Sequence, residues 1–214
     1  MSVKTLKRFS HAESFDSKLF CMFNDKVLPS RDYIIIAAFD PGVVNTGVRI
    51  ERRNEDGTIT TLHQNRFVAG KKSQDSHYYV RTIEYLTGLK ELLIDCEYIL
   101  VESQMRVNPQ GTRMAQHLIS TILTLTHESP RSIVVEVLPT VKSKAFGAPR
   151  LKSKELKVWA VEKALGVLQT RGDHATYDLL KGDKKRDDHA DVILYCDAWF
   201  RYLSEKVFKE PTTK

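Results

Sequence analysis

An unbroken apolar run from Tyr33 to Phe39, reading YIIIAAF, stops abruptly at Asp40, Pro41 and Gly42. β-Branched and aromatic residues favour extended backbone, and the Pro-Gly pair ends it, so the segment predicts a strand that closes in a turn. Successive strand side chains point to opposite faces, and here both faces are apolar. Such a strand sits inside a sheet covered on both sides, which points to an α/β architecture. It also leaves Asp40 at a strand end, beside low-dielectric surroundings.

Other segments fill in that architecture. Gly47 to Arg52 and Thr58 to Val68 predict two strands joined by the Asn54-Glu55-Asp56-Gly57 turn. Val80, Ile83, Leu86, Leu89, Leu92 and Leu93 recur at helical spacing, and Tyr98 to Val101 is a short buried strand that runs into Glu102. A helix through Met114, Leu118, Ile122 and Leu125 follows, then a strand from Ile133 to Leu138 closed by Pro139. Val141 to Lys154 is basic and reads as a mobile loop. Ser153 caps a helix from Lys154 to Leu168, and a last helix runs from about Asp187 to Val207. The expected fold is a mixed five-stranded sheet with helices on both faces, formed by residues 31–214, with residues 1–30 as an N-terminal appendage.

Composition excludes several classes. No apolar run approaches the ~20 residues of a membrane-spanning helix, so no membrane association is expected. The three cysteines, Cys21, Cys96 and Cys196, are far apart and lack CxxC spacing, which argues against a disulfide framework or structural zinc and for a reducing intracellular compartment. The net charge of +6 favours an anionic partner without naming one.

Four carboxylates carry the chemical argument. Asp40 and Glu102 each end a buried strand, and on adjacent parallel strands they would face one another across roughly 4.8 Å. Asp188 and Asp191 are three apart, on one face of a helix, while Asp187 points elsewhere. Clustered carboxylates repel unless cations lie between them, and an all-oxygen ligand set suits magnesium, two ions per site, with manganese as a substitute. Singly, each has a plainer reading: Asp40 as a turn former, Glu102 as a salt-bridge partner of Arg106, and Asp187 or Asp188 as helix caps.

Three stretches resemble a known family. IAAFDPGVVNTG (Ile36 to Gly47), ILVESQMR (Ile99 to Arg106) and KKRDDHADVILYCDAW (Lys184 to Trp199) are similar, in order and spacing, to the three acidic motifs of RuvC-type Holliday junction resolvases of the ribonuclease-H-like superfamily. The third is most similar to the fungal mitochondrial and poxvirus-like versions. The resemblance implies a homodimeric, magnesium-dependent endodeoxyribonuclease of recombination and repair that nicks four-way DNA junctions symmetrically. It gives Asp40, Glu102, Asp188 and Asp191 the metals and sets Met105 where relatives carry an aromatic junction wedge. It also points to Lys152 or Lys154 as a lysine assisting the scissile phosphate.

Basic residues supply a surface for phosphates: Lys142, Lys144, Arg150, Lys152, Lys154 and Lys157 cluster after the Ile133 strand, and Arg106 and Arg113 follow Glu102. His189 reads either as a proton carrier or as a helix residue facing away from its flanking aspartates. Three other functions fit part of the pattern. They are a ribonuclease-H-like nuclease on RNA-DNA hybrids or other branched or mismatched DNA, an actin-like or sugar-kinase ATPase, and a non-catalytic binder of branched DNA.

Overall fold

A computed structural model describes residues 20–24, 31–70, 77–105 and 107–209. Its strands are β1 (Phe20–Met22), β2 (Tyr33–Asp40), β3 (Asn45–Asn54), β4 (Ile59–Val68), β5 (Tyr98–Glu102) and β6 (Ile133–Val137). The helices are α1 (Tyr78–Gly88), α2 (Lys90–Asp95), α3 (Pro109–Thr126), α4 (Thr140–Phe146), α5 (Ser153–Arg171), α6 (His174–Gly182) and α7 (Arg186–Lys209). The strands form one mixed sheet in the order β1-β6-β5-β2-β3-β4. β2 runs parallel to β5 and antiparallel to β3, as its central position demands.

The alternation within β2 divides the core. Ile35, Ala37 and Phe39 pack with α1, α2 and α3 on one face; Ile34, Ile36 and Ala38 pack with α4 and α7 on the other. α5 and α6 form an outer layer through Ala160, Ala164, Leu168 and Leu180 against Ala190, Ile193 and Leu194 of α7. Both faces of the sheet are therefore covered. Among the described residues no helix is long and apolar enough to cross a membrane.

Three sequence expectations are corrected. The sheet has six strands rather than five, because Phe20–Met22 pairs antiparallel with β6. That pairing is secured by Phe20, whose ring meets Trp199 edge-on at 4.9 Å and Tyr202 at 4.5 Å. The remainder of the expected appendage, residues 1–19 and 25–30, lies outside the described residues. The basic stretch after Pro139 is not a loop: it folds into α4, since Val141 has a core to enter, and Gly147 at φ 63° ends the helix in the left-handed region. Finally, α5 starts at Ser153 with Lys152 at the cap position, where the Lys152 N–H donates to Glu155.

Candidate metal centre

Strand register and helix periodicity build the centre together. On β2, Asp40 continues the Ile36 and Ala38 row; on β5, Glu102 continues the Tyr98 and Leu100 row. Phe39 is in parallel register with Val101, so the two carboxylates follow side by side on the face that α7 covers. On α7, Asp191 lies on the same buried stripe as Tyr195 and Trp199, one and two turns on. Carboxylate oxygens of Asp40, Glu102 and Asp191 all lie within 4.8 Å of one another. Three distant parts of the chain thus meet at one point.

One ammonium joins them. Lys142 Nζ lies 2.7 Å from Asp191 Oδ1 and 3.6 Å from Glu102 Oε2, and over the Tyr195 ring at 4.8 Å. Lys142 thus lies on a helix and not in the expected mobile loop. The α4 turn carries it inward, and it is only 8% exposed. Burial acts to lower the Lys142 pKa, but Asp191, Glu102 and Asp40 outweigh it and hold the ammonium charged, above its usual range.

The carboxylates respond in the opposite sense. Burial pushes the Asp40 carboxyl well above the ordinary range, and Glu102 and Asp191 push it further. Glu102 is also raised, first by burial, with Lys142 opposing. Asp188, one turn before Asp191, is outside the 4.8 Å group, yet its charge is felt by Asp40. Its own carboxyl is raised to about 6 by burial and by Asp187. The first turn of α7 comes this close because β3 has no side chain at Gly47, whose added Cβ would stand 2.3 Å from the Asp188 carbonyl oxygen.

A divalent cation fits this arrangement. Every donor is an oxygen, and three carboxylates around one ammonium leave an excess of negative charge. Glu102 Oε2, Asp188 Oδ2 and the Tyr195 hydroxyl, which faces Glu102, are buried without a hydrogen bond of good geometry. Such orphaned oxygens belong in a site that takes a cation.

The other expected residues are spread more widely. Lys144, Arg150, Lys152, Lys154 and Lys157 are exposed along α4, the following loop and the start of α5. Among the described residues, Lys142 is the lysine that pairs with the acidic group. Lys157 binds Asp187 at 2.6 Å, which turns Asp187 away from the centre. Met105 is 68% exposed in the loop after Glu102. Arg113 is exposed on α3, in a hollow with Tyr79, Gln116 and His117, and Arg106 lies outside the described residues. His189 is buried and binds Gln64 and Asp183 rather than the aspartates beside it.

Sequence reading missed a second buried charge group. Arg49, Glu51 and Arg53 alternate along β3, a pattern that normally marks a solvated face, but α7 packs on it, and Arg171 at the end of α5 and Asp173 at the cap of α6 reach its charges. Glu51 accepts from Arg49 at 2.6 Å and from both Nε and Nη2 of Arg53. Arg171 and Asp197 complete the group from α5 and α7, with Asp173 at the cap of α6. Burial acts to raise the Glu51 carboxyl, and Arg53, Arg49 and Arg171 reverse this and hold it far below the usual range.

The sequence matches no protein-family model and no curated protein. Its fold does match solved structures. The yeast mitochondrial Holliday junction resolvase Ydc2 aligns over 85% of this chain and 82% of its own, with a TM-score of 0.61 at 18% identity. RuvC of Thermus thermophilus aligns over 79% of this chain and 96% of its own, with a TM-score of 0.52 at 16% identity. The chain shares the α/β, ribonuclease-H-like fold of these structures.

Proposed function

We propose that this chain is a divalent-metal-dependent endonuclease that resolves four-way DNA junctions. The observation that carries the reading is the convergence of Asp40, Glu102 and Asp191, from two strands and a helix, within 4.8 Å around a single ammonium. The fold shared with the yeast mitochondrial Holliday junction resolvase and with RuvC supports the substrate class.

Asp40, Glu102 and Asp191, with Asp188 beside them, would hold two magnesium ions. When bound, such ions polarise the phosphate and lower the pKa of a water enough to make it a nucleophile at neutral pH. Lys142 offsets part of the carboxylate charge and keeps Asp191 aimed at Asp40 and Glu102. Burial of Glu102 and Asp40 keeps bulk water from screening this field. The exposed Lys144, Arg150, Lys152, Lys154 and Lys157, with Arg106 and Arg113, bind DNA phosphates, and Met105 lies against the junction centre. The nuclease domain comprises residues 31–214 together with β1 and acts as a homodimer, so that two centres meet two opposing strands. It works in a reducing intracellular compartment.

The test is nicking of a synthetic four-way junction with magnesium, with manganese and with chelator, alongside linear duplex and RNA-DNA hybrid of the same sequence. The expected result is paired, symmetric nicks in the junction that need the cation. Preferential cutting of the hybrid or the linear duplex overturns the junction assignment, and cleavage unaffected by chelator overturns the metal centre.

A further inference from the structure

Between the two aspartates of α7, a chain of hydrogen bonds has a fixed polarity. Arg49 can only donate, and its Nη1 meets Gln64 Oε1 at 2.9 Å. That contact orients the Gln64 amide, so Nε2 is the atom facing His189 Nδ1 at 2.9 Å, and Nε2–H donates. Nδ1 is then the acceptor, and the imidazole proton sits on Nε2, where it donates to Asp183 Oδ2 at 3.1 Å. Asp183 is held in turn by Arg66 Nε at 3.2 Å, and Arg66 Nη1 donates to Asn45 Oδ1 at 3.1 Å. The chain ties β4 to Asp183, the C-cap of α6 three residues ahead of α7, and to the first turn of α7 itself.

We infer that His189 is a positioning residue for the metal centre: its two hydrogen bonds fix the rotation of the first turns of α7 and so aim Asp188 and Asp191 at Asp40 and Glu102. Three observations converge on this. His189 is 2% exposed and lies one residue after Asp188 and two before Asp191. Both of its ring nitrogens are engaged, one by Gln64 on β4 and the other by Asp183 ahead of α7, so two hydrogen bonds oppose rotation of this turn. Gly47 lets the Asp188 carbonyl rest directly on β3, so a small rotation of this turn displaces the carboxylates rather than being absorbed by an intervening side chain. Groups that orient metal ligands through a hydrogen bond commonly change metal affinity by about 10- to 100-fold when removed.

The inference rests on the metal-centre reading above, and the experiment separates the two. Mn2+ is titrated into the full chain, with free ion followed by electron paramagnetic resonance, for wild type, His189→Leu, Gln64→Ala and the double variant. Expected is a dissociation constant raised roughly tenfold in each single variant, with little further change in the double variant because both remove the same hydrogen bond. His189→Gln can accept from Gln64 through its oxygen and donate to Asp183 through its nitrogen, and it restores most of the affinity. In junction cleavage, the Mn2+ concentration for half-maximal rate rises while the rate at saturating Mn2+ stays within about threefold of wild type, a split that general loss of fold does not give. Should His189→Leu fail to fold, Gln64→Ala decides alone. Equal Mn2+ affinity in wild type and Gln64→Ala overturns the positioning role and leaves the metal centre standing. No Mn2+ binding by wild type overturns both.

Discussion

Along the inner side of α7, Asp191 meets Lys142 beside Asp40 and Glu102, whereas Asp197, further along the same helix, meets Arg53, Arg171 and Arg201. Both groups are buried and highly charged. In the second, the guanidiniums of Arg49, Arg53 and Arg171 match the carboxylates of Glu51, Asp173 and Asp197, and none of these side chains has a buried polar atom without a partner. In the first, one ammonium faces three carboxylates, and two oxygens of the group and its flanking Asp188 are orphaned. Buried ions are tolerated when they are paired. The matched group therefore suits a structural role, and the mismatched group is the one proposed to carry the chemistry.

Substitutions in the two groups should separate these roles. Asp40→Asn or Asp191→Asn is expected to reduce magnesium-dependent cleavage on the order of a thousandfold or more, about 4 kcal/mol in barrier. For Asp40→Asn the thermal midpoint at pH 8 should be unchanged or higher, because a repelling charge has gone. A large fall in midpoint would show that the acidic group is structural. Glu51→Gln should do the reverse, destabilising by about 3–5 kcal/mol, since it leaves Arg49 and Arg53 buried without their counter-charge. Denaturant unfolding measures that loss, and the activity per folded molecule should be retained.

Cation binding sharpens the contrast. Without a cation, the folded chain keeps protons on Asp40 and Glu102 above the ordinary carboxylate range, while the unfolded chain has released them. Stability therefore falls as pH rises through that interval. Magnesium replaces those protons, so its stabilising effect should grow from pH 5 to pH 8, reaching about 2.7 kcal/mol when the ion is at a hundred times its dissociation constant. Chelator should reverse the gain in wild type and have no effect on Asp40→Asn. A gain equal at both pH values would contradict the site.

Much of this was legible in the sequence because apolar strands that end in a carboxylate announce both a sheet and a place on its edge. Asp40 and Glu102 needed only the parallel pairing of β2 and β5, and the three-residue spacing of Asp188 and Asp191 needed only a helix. Lys142 was misread because burial of a lysine depends on what surrounds it: Pro139 to Gly147 is short and basic, and its helix exists to seat Val141. The Arg49-Glu51-Arg53 row was missed because alternating charge on a strand describes a wet face equally well. Its partners Arg171 and Asp197 lie on helices whose placement no local pattern reports. β1 was invisible for a similar reason, as its evidence is the contact of Phe20 with Trp199.

Glu97, at the opposite end of β5 from Glu102, offers the finest test of what clustering adds. It is 3% exposed, accepts from the Ile35 N–H at 2.6 Å, and among the described residues has Arg31 at 3.7 Å as its counter-charge. Burial raises its carboxyl to about 7 against the partial opposition of the Ile35 N–H and Arg31. Below the ordinary glutamate range both folded and unfolded chains hold the proton, and there is no penalty. Between that range and about pH 7 the unfolded chain has released its proton and the folded chain has not, so stability falls as pH rises. Glu97→Gln removes the titration while its amide oxygen can still accept from Ile35. The variant should match wild type at pH 4 and exceed it at pH 8 by about 1–3 kcal/mol. Magnesium should leave this difference untouched, because a lone buried carboxylate with a backbone partner offers a divalent ion one ligand where Asp40, Glu102 and Asp191 offer three.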